Sequence, residues 1–174
     1  MNTKNLVVMA LLVGMGAILH MIIPGFGAGG MKPDFSLIMM FLGIFMFPEK
    51  KNVLLLGLAT GIISGLTTGF AGGFFPNVID KMITAFLFFA LYVTVKKTNN
   101  IVINASLTAV GTIISGTIFL TVAAAMVGLG EAGFIGLFTM IVIPAMILNT
   151  IVMAVIYPTV LGIAKRTKLV HLPQ

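Results

Sequence analysis

Apolar residues run along this chain in long stretches, and short clusters of glycine, proline and charge divide them into six segments. The first covers about Thr3–Ile23 and is closed by Pro24; the second, about Asp34–Phe47, is closed by Pro48. The others are about Val53–Phe70, Asn77–Val95, Ile101–Val127 and Phe134–Tyr157. A helix needs about 20 mostly apolar residues to cross a bilayer, so the pattern predicts membrane helices. The expected fold class is an all-α integral membrane protein, one bundle of six transmembrane helices over residues 1–174. The first segment reads as a retained span and not a cleaved signal, because no small-residue cleavage site stands apart from it. At 14 residues the second segment is short. It either starts below the outer surface or borrows the preceding loop to complete the crossing, and irregular backbone at that depth must face protein or water.

Small residues recur inside the segments. Gly57, Gly61, Gly65 and Gly69 stand four apart and predict a smooth groove for a neighbouring helix, of this chain or another. Ala10, Gly14 and Ala17 form a second small stripe on the first span, and Ala105, Ala109, Thr112 and Gly116 a third on the fifth. Thr112, Ser115, Thr117 and Thr121 suit bonds back to their own helix carbonyls. Pro144, inside the last span, predicts a kink and leaves the Met140 carbonyl in need of another partner.

Composition strengthens the membrane reading: 59% of the residues are hydrophobic and 8% charged, too little charge to cover a water-soluble domain. The net charge of +6 does not mark a nucleic-acid protein, because the basic residues sit at segment ends and form no stripe. Their positions bear on topology instead. With both termini inside, Lys4, Lys50, Lys51, Lys96, Lys97, Lys165, Arg166 and Lys168 are cytoplasmic and only Lys32 and Lys81 are outside, a bias of eight to two for N-in, C-in. There is no cysteine, no phosphate-binding G-x-x-x-x-G-K-[ST] loop, no H-E-x-x-H and no G-x-S-x-G. The chain is therefore expected to hydrolyse no ATP itself, to bind no metal or cofactor, and not to be an enzyme.

The candidate chemistry lies at the outer ends of the spans. Asn77, Asp80, Lys81, Thr84 and Phe88 fall on one arc of a helix started by Pro76, and polar atoms on such a stripe point to protein or to a wet cavity. The alternative is that Asp80 and Lys81 only mark the water boundary. The four glycines of 25–30, followed by Met31, Lys32 and Asp34, read as a gate over a ligand or as a plain solvated loop. Asn149, deep in the last span, must bond another helix or a substrate, and His20 suits a packing role. Lysine and a helix N-terminus suit a carboxylate, aspartate an ammonium, and Phe26, Phe74, Phe75, Phe88 and Met31 a large apolar group. An aromatic amino acid fits this set, as do many other small zwitterions.

The segments Lys4–Ala10 (KNLVVMA), Gly29–Asp34 (GGMKPD), Leu37–Phe41 (LIMMF), Gly61–Thr68 (GIISGLTT), Pro76–Lys81 (PNVIDK), Ala85–Phe89 (AFLFF), Gly111–Gly116 (GTIISG) and Leu148–Thr150 (LNT) resemble, in matching order over nearly the whole chain, the bacterial tryptophan-transport protein family. That family in turn resembles the substrate-binding (S) subunits of energy-coupling-factor (ECF) transporters. The resemblance implies capture of tryptophan at the outer face of a bacterial cell membrane. It also implies delivery by a transmembrane coupling subunit carrying two ATPase subunits, which would use the ATP. It gives Ala10, Gly14 and Ala17 a docking role, with Ala10-x-x-x-Gly14 departing from the usual Ala-x-x-x-Ala. The expected substrate residues are Met31, Lys32, Asp34, Asn77, Asp80, Lys81, Thr84 and Asn149. The rival readings are a solitary secondary amino-acid transporter, an S subunit for a vitamin, and a purely structural subunit.

Overall fold

The computed structural model describes residues 3–23, 33–95 and 100–166. Its regular elements are helices: α1 (Thr3–Ile22), α2 (Phe35–Met46), α3 (Lys50–Thr67), α4 (Phe74–Thr94) and α5 (Ile101–Met126). A last rod combines α6 (Gly133–Leu137), a π-helical turn (Phe138–Val142) and α7 (Ile143–Arg166). Four rods, namely α1, α4, α5 and Gly133–Ala164, are long and apolar enough to cross a membrane. The chain is a multi-pass, all-α integral membrane protein.

The short second segment is the centre of the molecule. Every residue of α2 is buried, as expected of a helix apolar on all sides, and α1, α3, α4, α5 and α7 all pack on it. Twelve residues rise about 18 Å, less than a bilayer core. The Asp34 carboxylate caps its start by accepting the Leu37 N–H at 3.0 Å, and Pro48 follows its end. Phe41 stacks on Phe88 of α4 with ring centroids 3.8 Å apart, and Phe45 meets Tyr92 and Tyr157 edge-on.

The glycine groove of α3 receives α4 of the same chain. A Cβ on Gly57 would lie 3.2 Å from the Lys81 carbonyl, one on Gly61 3.0 Å from the Val78 Cα, and one on Gly65 2.9 Å from the Phe74 carbonyl. Gly69 meets nothing within 4 Å and stands outside the contact. Backbone-to-backbone approach over about two helical turns fixes the rotation of α4 and turns Asn77, Asp80 and Lys81 into the bundle.

The last rod is interrupted at Pro144, as the sequence reading expects, and runs further than that reading at its C-terminal end. At Pro144 the ladder widens: the Ile143 N–H reaches back to the Phe138 carbonyl, and the proline then falls in the first turn of α7, where an N–H is not required. The helix also does not end at Tyr157 but continues through Pro158 to Arg166.

Candidate functional site

The C-terminal end of α1, the start of α2, the α3–α4 turn, the first two turns of α4, the middle of α5 and the π-turn region enclose a cavity of about 300 Å³. Asp34, Asn77, Asp80, Lys81 and Asn149 all line it, although they lie up to 115 residues apart in the chain. Most of its polar wall is one connected network, while the Asn77 amide donates to the Gly73 carbonyl at 2.8 Å. Lys81 Nζ lies 2.7 Å from Asp80 Oδ2, 3.3 Å from Asp34 Oδ2 and 3.1 Å from Ser115 Oγ. Asp80 also accepts from Ser115 Oγ and from Thr84 Oγ1, each at 2.8 Å. Asn149 Oδ1 accepts the Asp34 N–H at 2.8 Å, and its amide donates to Thr112 Oγ1 at 3.2 Å, tying α7 to α2 and α5. His20 Nδ1 lies 3.9 Å from Asp34 Oδ1 at the open side.

Burial separates the members. Asp80 is fully buried and Lys81 only 3% exposed, so they do not mark a water boundary, and Lys81 does not count among flanking loop charges. Charges removed from water this far persist only when paired and hydrogen-bonded, and the network supplies both. The Asp34 side chain is 28% exposed.

The opposite wall is apolar: Phe70 after α3, Phe119 and Leu120 on α5, and Leu137, Ile141, Val142 and Ala145 along the last rod. The Phe70 and Phe119 rings meet edge to face at 5.5 Å. A Cβ on Gly116 would sit 2.5 Å from Val142, so glycine there lets the π-turn close against α5. A partly open cavity lined by a charged, hydrogen-bonded cluster and by apolar and aromatic side chains suits a small amphiphilic molecule.

A family model described as tryptophan transporter TrpP matches residues 2–165. The chain belongs to this family. A probable tryptophan transport protein of Bacillus subtilis is 52% identical over 167 residues, covering 96% of both chains. Proteins of the same description from Clostridium acetobutylicum and Clostridium perfringens are 40% and 37% identical, over 92% and 97% of this chain and 93% and 97% of theirs. No solved structure matches it. A member of the TrpP family is a transport protein, not an enzyme.

Within this TrpP-family chain, the residues expected from sequence divide into three groups. Asp34, Asn77, Asp80, Lys81 and Asn149 meet at the cavity. Thr84 is fully buried and does not line it; its hydroxyl is engaged by Asp80. Met31 and Lys32 lie outside the described residues, as do Phe26 and the glycine loop. Of the aromatic side chains expected near a ligand, Phe88 is in the core against Phe41, and Phe74 and Phe75 are not cavity residues. The cavity instead uses Phe70 and Phe119, whose approach requires the α3–α4 turn to fold over α5. Ser115 was the main omission. Thr112, Thr117 and Thr121 do bond back to carbonyls four residues earlier, but Ser115 bonds Asp80 and Lys81. Its place on the buried face of α5 with Asn104, Thr108 and Thr112 was the available signal.

On α1, Gly16 is the point of closest approach to α2, where a Cβ would lie 3.0 Å from the Phe35 carbonyl. Ala17 is buried in the chain's own bundle, whereas Ala10 and Gly14 line an apolar groove shared with Leu55, Ala59 and Ile63 of α3.

Proposed function

We propose that this protein is the membrane-embedded substrate-binding subunit of a tryptophan uptake system, with the 300 Å³ cavity as its binding site. The supporting observation is the pairing, in one cavity, of a buried Asp34–Lys81–Asp80 network with an apolar wall containing Phe70 and Phe119. The network and the amides of Asn77 and Asn149 hold the amino-acid end, and the apolar wall takes the indole. The names of the relatives supply tryptophan as the substrate.

The chain has both termini inside and six crossings, the short buried α2 being one of them, which puts the cavity at the outer face. Energy comes from an ECF module: a coupling subunit docks along Ala10 and Gly14, and its two ATPases supply the ATP hydrolysis. The uncovered groove on α1 and α3 supports this, since a Cβ at Gly14 meets nothing within 4 Å and the surface is open to another helix.

The protein contains no tryptophan, so bound ligand reports through its own fluorescence. Titration of the purified chain with L-tryptophan is expected to show saturable, stereoselective binding; its absence would remove the substrate-binding reading. Uptake into liposomes by the chain alone, driven by an ion gradient, would remove the ECF module and favour a solitary carrier.

A further inference from the structure

Lysine is the residue a substrate carboxylate ordinarily meets, but Lys81 is already engaged. An ammonium has three donors, and Lys81 Nζ has three acceptors within 3.3 Å: Asp80 Oδ2, Ser115 Oγ and Asp34 Oδ2. Asp80 is closed as well. It accepts from Lys81, Ser115 and Thr84 and is fully buried. Asp34 differs from both. Its Oδ1 accepts the Leu37 N–H and lies 3.9 Å from His20 Nδ1, its Oδ2 meets Lys81 at the longest of the three distances, and its side chain is 28% exposed. Among the described residues, two carboxylates thus share a single ammonium, and Asp34, the one with His20 beside it, is the more exposed of the two.

We propose that the cavity recognises its substrate as a cation: Asp34 is the specificity residue and pairs with the substrate's primary ammonium, while Lys81 holds Asp34 and Asp80 in place and does not read a carboxylate. The substrate class is an aryl-alkyl primary amine, with the carboxylate of an amino acid contributing little. This rests on the assignment of the cavity as the binding site. It separates groups that a zwitterion presents together.

The test uses the full-length purified protein at pH 8 and three indole ligands with native fluorescence: L-tryptophan, tryptamine and indole-3-propionate. Tryptamine is expected to bind within about tenfold of L-tryptophan, and indole-3-propionate, which keeps the carboxylate and lacks the ammonium, is expected not to bind. The variant Asp34→Asn keeps a good helix cap, because asparagine caps as well as aspartate, so α2 still forms. It is expected to lose at least about tenfold in affinity for both amines, the scale of one charge-assisted hydrogen bond. Binding of L-tryptophan without tryptamine, competition by indole-3-propionate, or unchanged amine affinity in Asp34→Asn would each overturn the ammonium assignment and leave the uptake function standing. Tryptamine binding without L-tryptophan would do the reverse. Failure of both amines would remove both readings.

Discussion

Lys81 is the residue whose environment costs most to build. Only 3% exposed and set between two carboxylates, it is the ammonium that Asp34 and Asp80 share among the described residues. Lys81→Met removes that charge and leaves the carboxylates facing each other. The variant is expected to lose about 3–5 kcal/mol of stability, seen as a lower melting temperature in detergent. Thr84 separates support from contact. Its hydroxyl reaches Asp80 but not the cavity, so Thr84→Val is expected to cost about 1.5–3 kcal/mol of stability while tryptophan affinity stays within twofold or so of the parent. A large affinity loss at unchanged stability would instead put Thr84 in the binding surface. Sequence patterning identified Asp80 and Lys81 as an inward-facing pair because the arc they share with Asn77 is a local property of one helix. It could not pair them with Ser115 or Asp34, which reach them only across α5 and α2.

At the scale of the element, the α3–α4 contact sets the site. Gly57, Gly61 and Gly65 let α4 approach until main-chain atoms touch, and the rotation fixed there carries Asp80 and Lys81 inward. Gly65→Ala would place a Cβ 2.9 Å from the Phe74 carbonyl, which only a backbone shift can relieve. It is expected to cost about 1–3 kcal/mol and to weaken ligand binding with it. Gly69→Ala, with nothing within 4 Å, is the control and should leave both unchanged. Equal melting temperatures for the two variants would dissociate the groove from the site. The four-residue glycine repeat was legible in the sequence; which of its members carries the contact was not, because that depends on where the two helices diverge. The π-turn was less legible still. Pro144 announced an interruption, and the structure accommodates it by widening the ladder over Phe138–Val142, against the cavity.

For the whole molecule, the surfaces proposed for binding and for docking are distinct: the cavity is at one end of the bundle, and the groove of Ala10 and Gly14 runs along its side. On that proposal, binding and energised uptake are expected to be separable. A Cβ at Gly14 meets nothing within 4 Å, so Gly14→Leu is tolerated at its Cβ and projects into the groove; it is expected to leave tryptophan binding by the isolated protein unchanged while abolishing uptake in cells that contain the ATPase module. Retained uptake would place the docking surface elsewhere. Orientation is tested just as directly. The chain has no cysteine, so single cysteines at Gly69 and Ala132 are expected to react with an impermeant thiol reagent from outside, and one at Lys50 only from inside.

The sequence alone determined the class of molecule and its helical segments, because hydropathy over some twenty residues and the punctuation of proline, glycine and charge are local properties that a bilayer reads directly. The family was equally legible, carried by ordered segments along nearly the whole chain. Only the tertiary structure decided that the shortest apolar segment is the fully enclosed centre, that Phe70 and Phe119 line the cavity in place of Phe74, Phe75 and Phe88, and that Ser115 belongs to the ionic network. Each depends on which faces of distant helices meet, and that is set by close packing between them, not by the periodicity within any one.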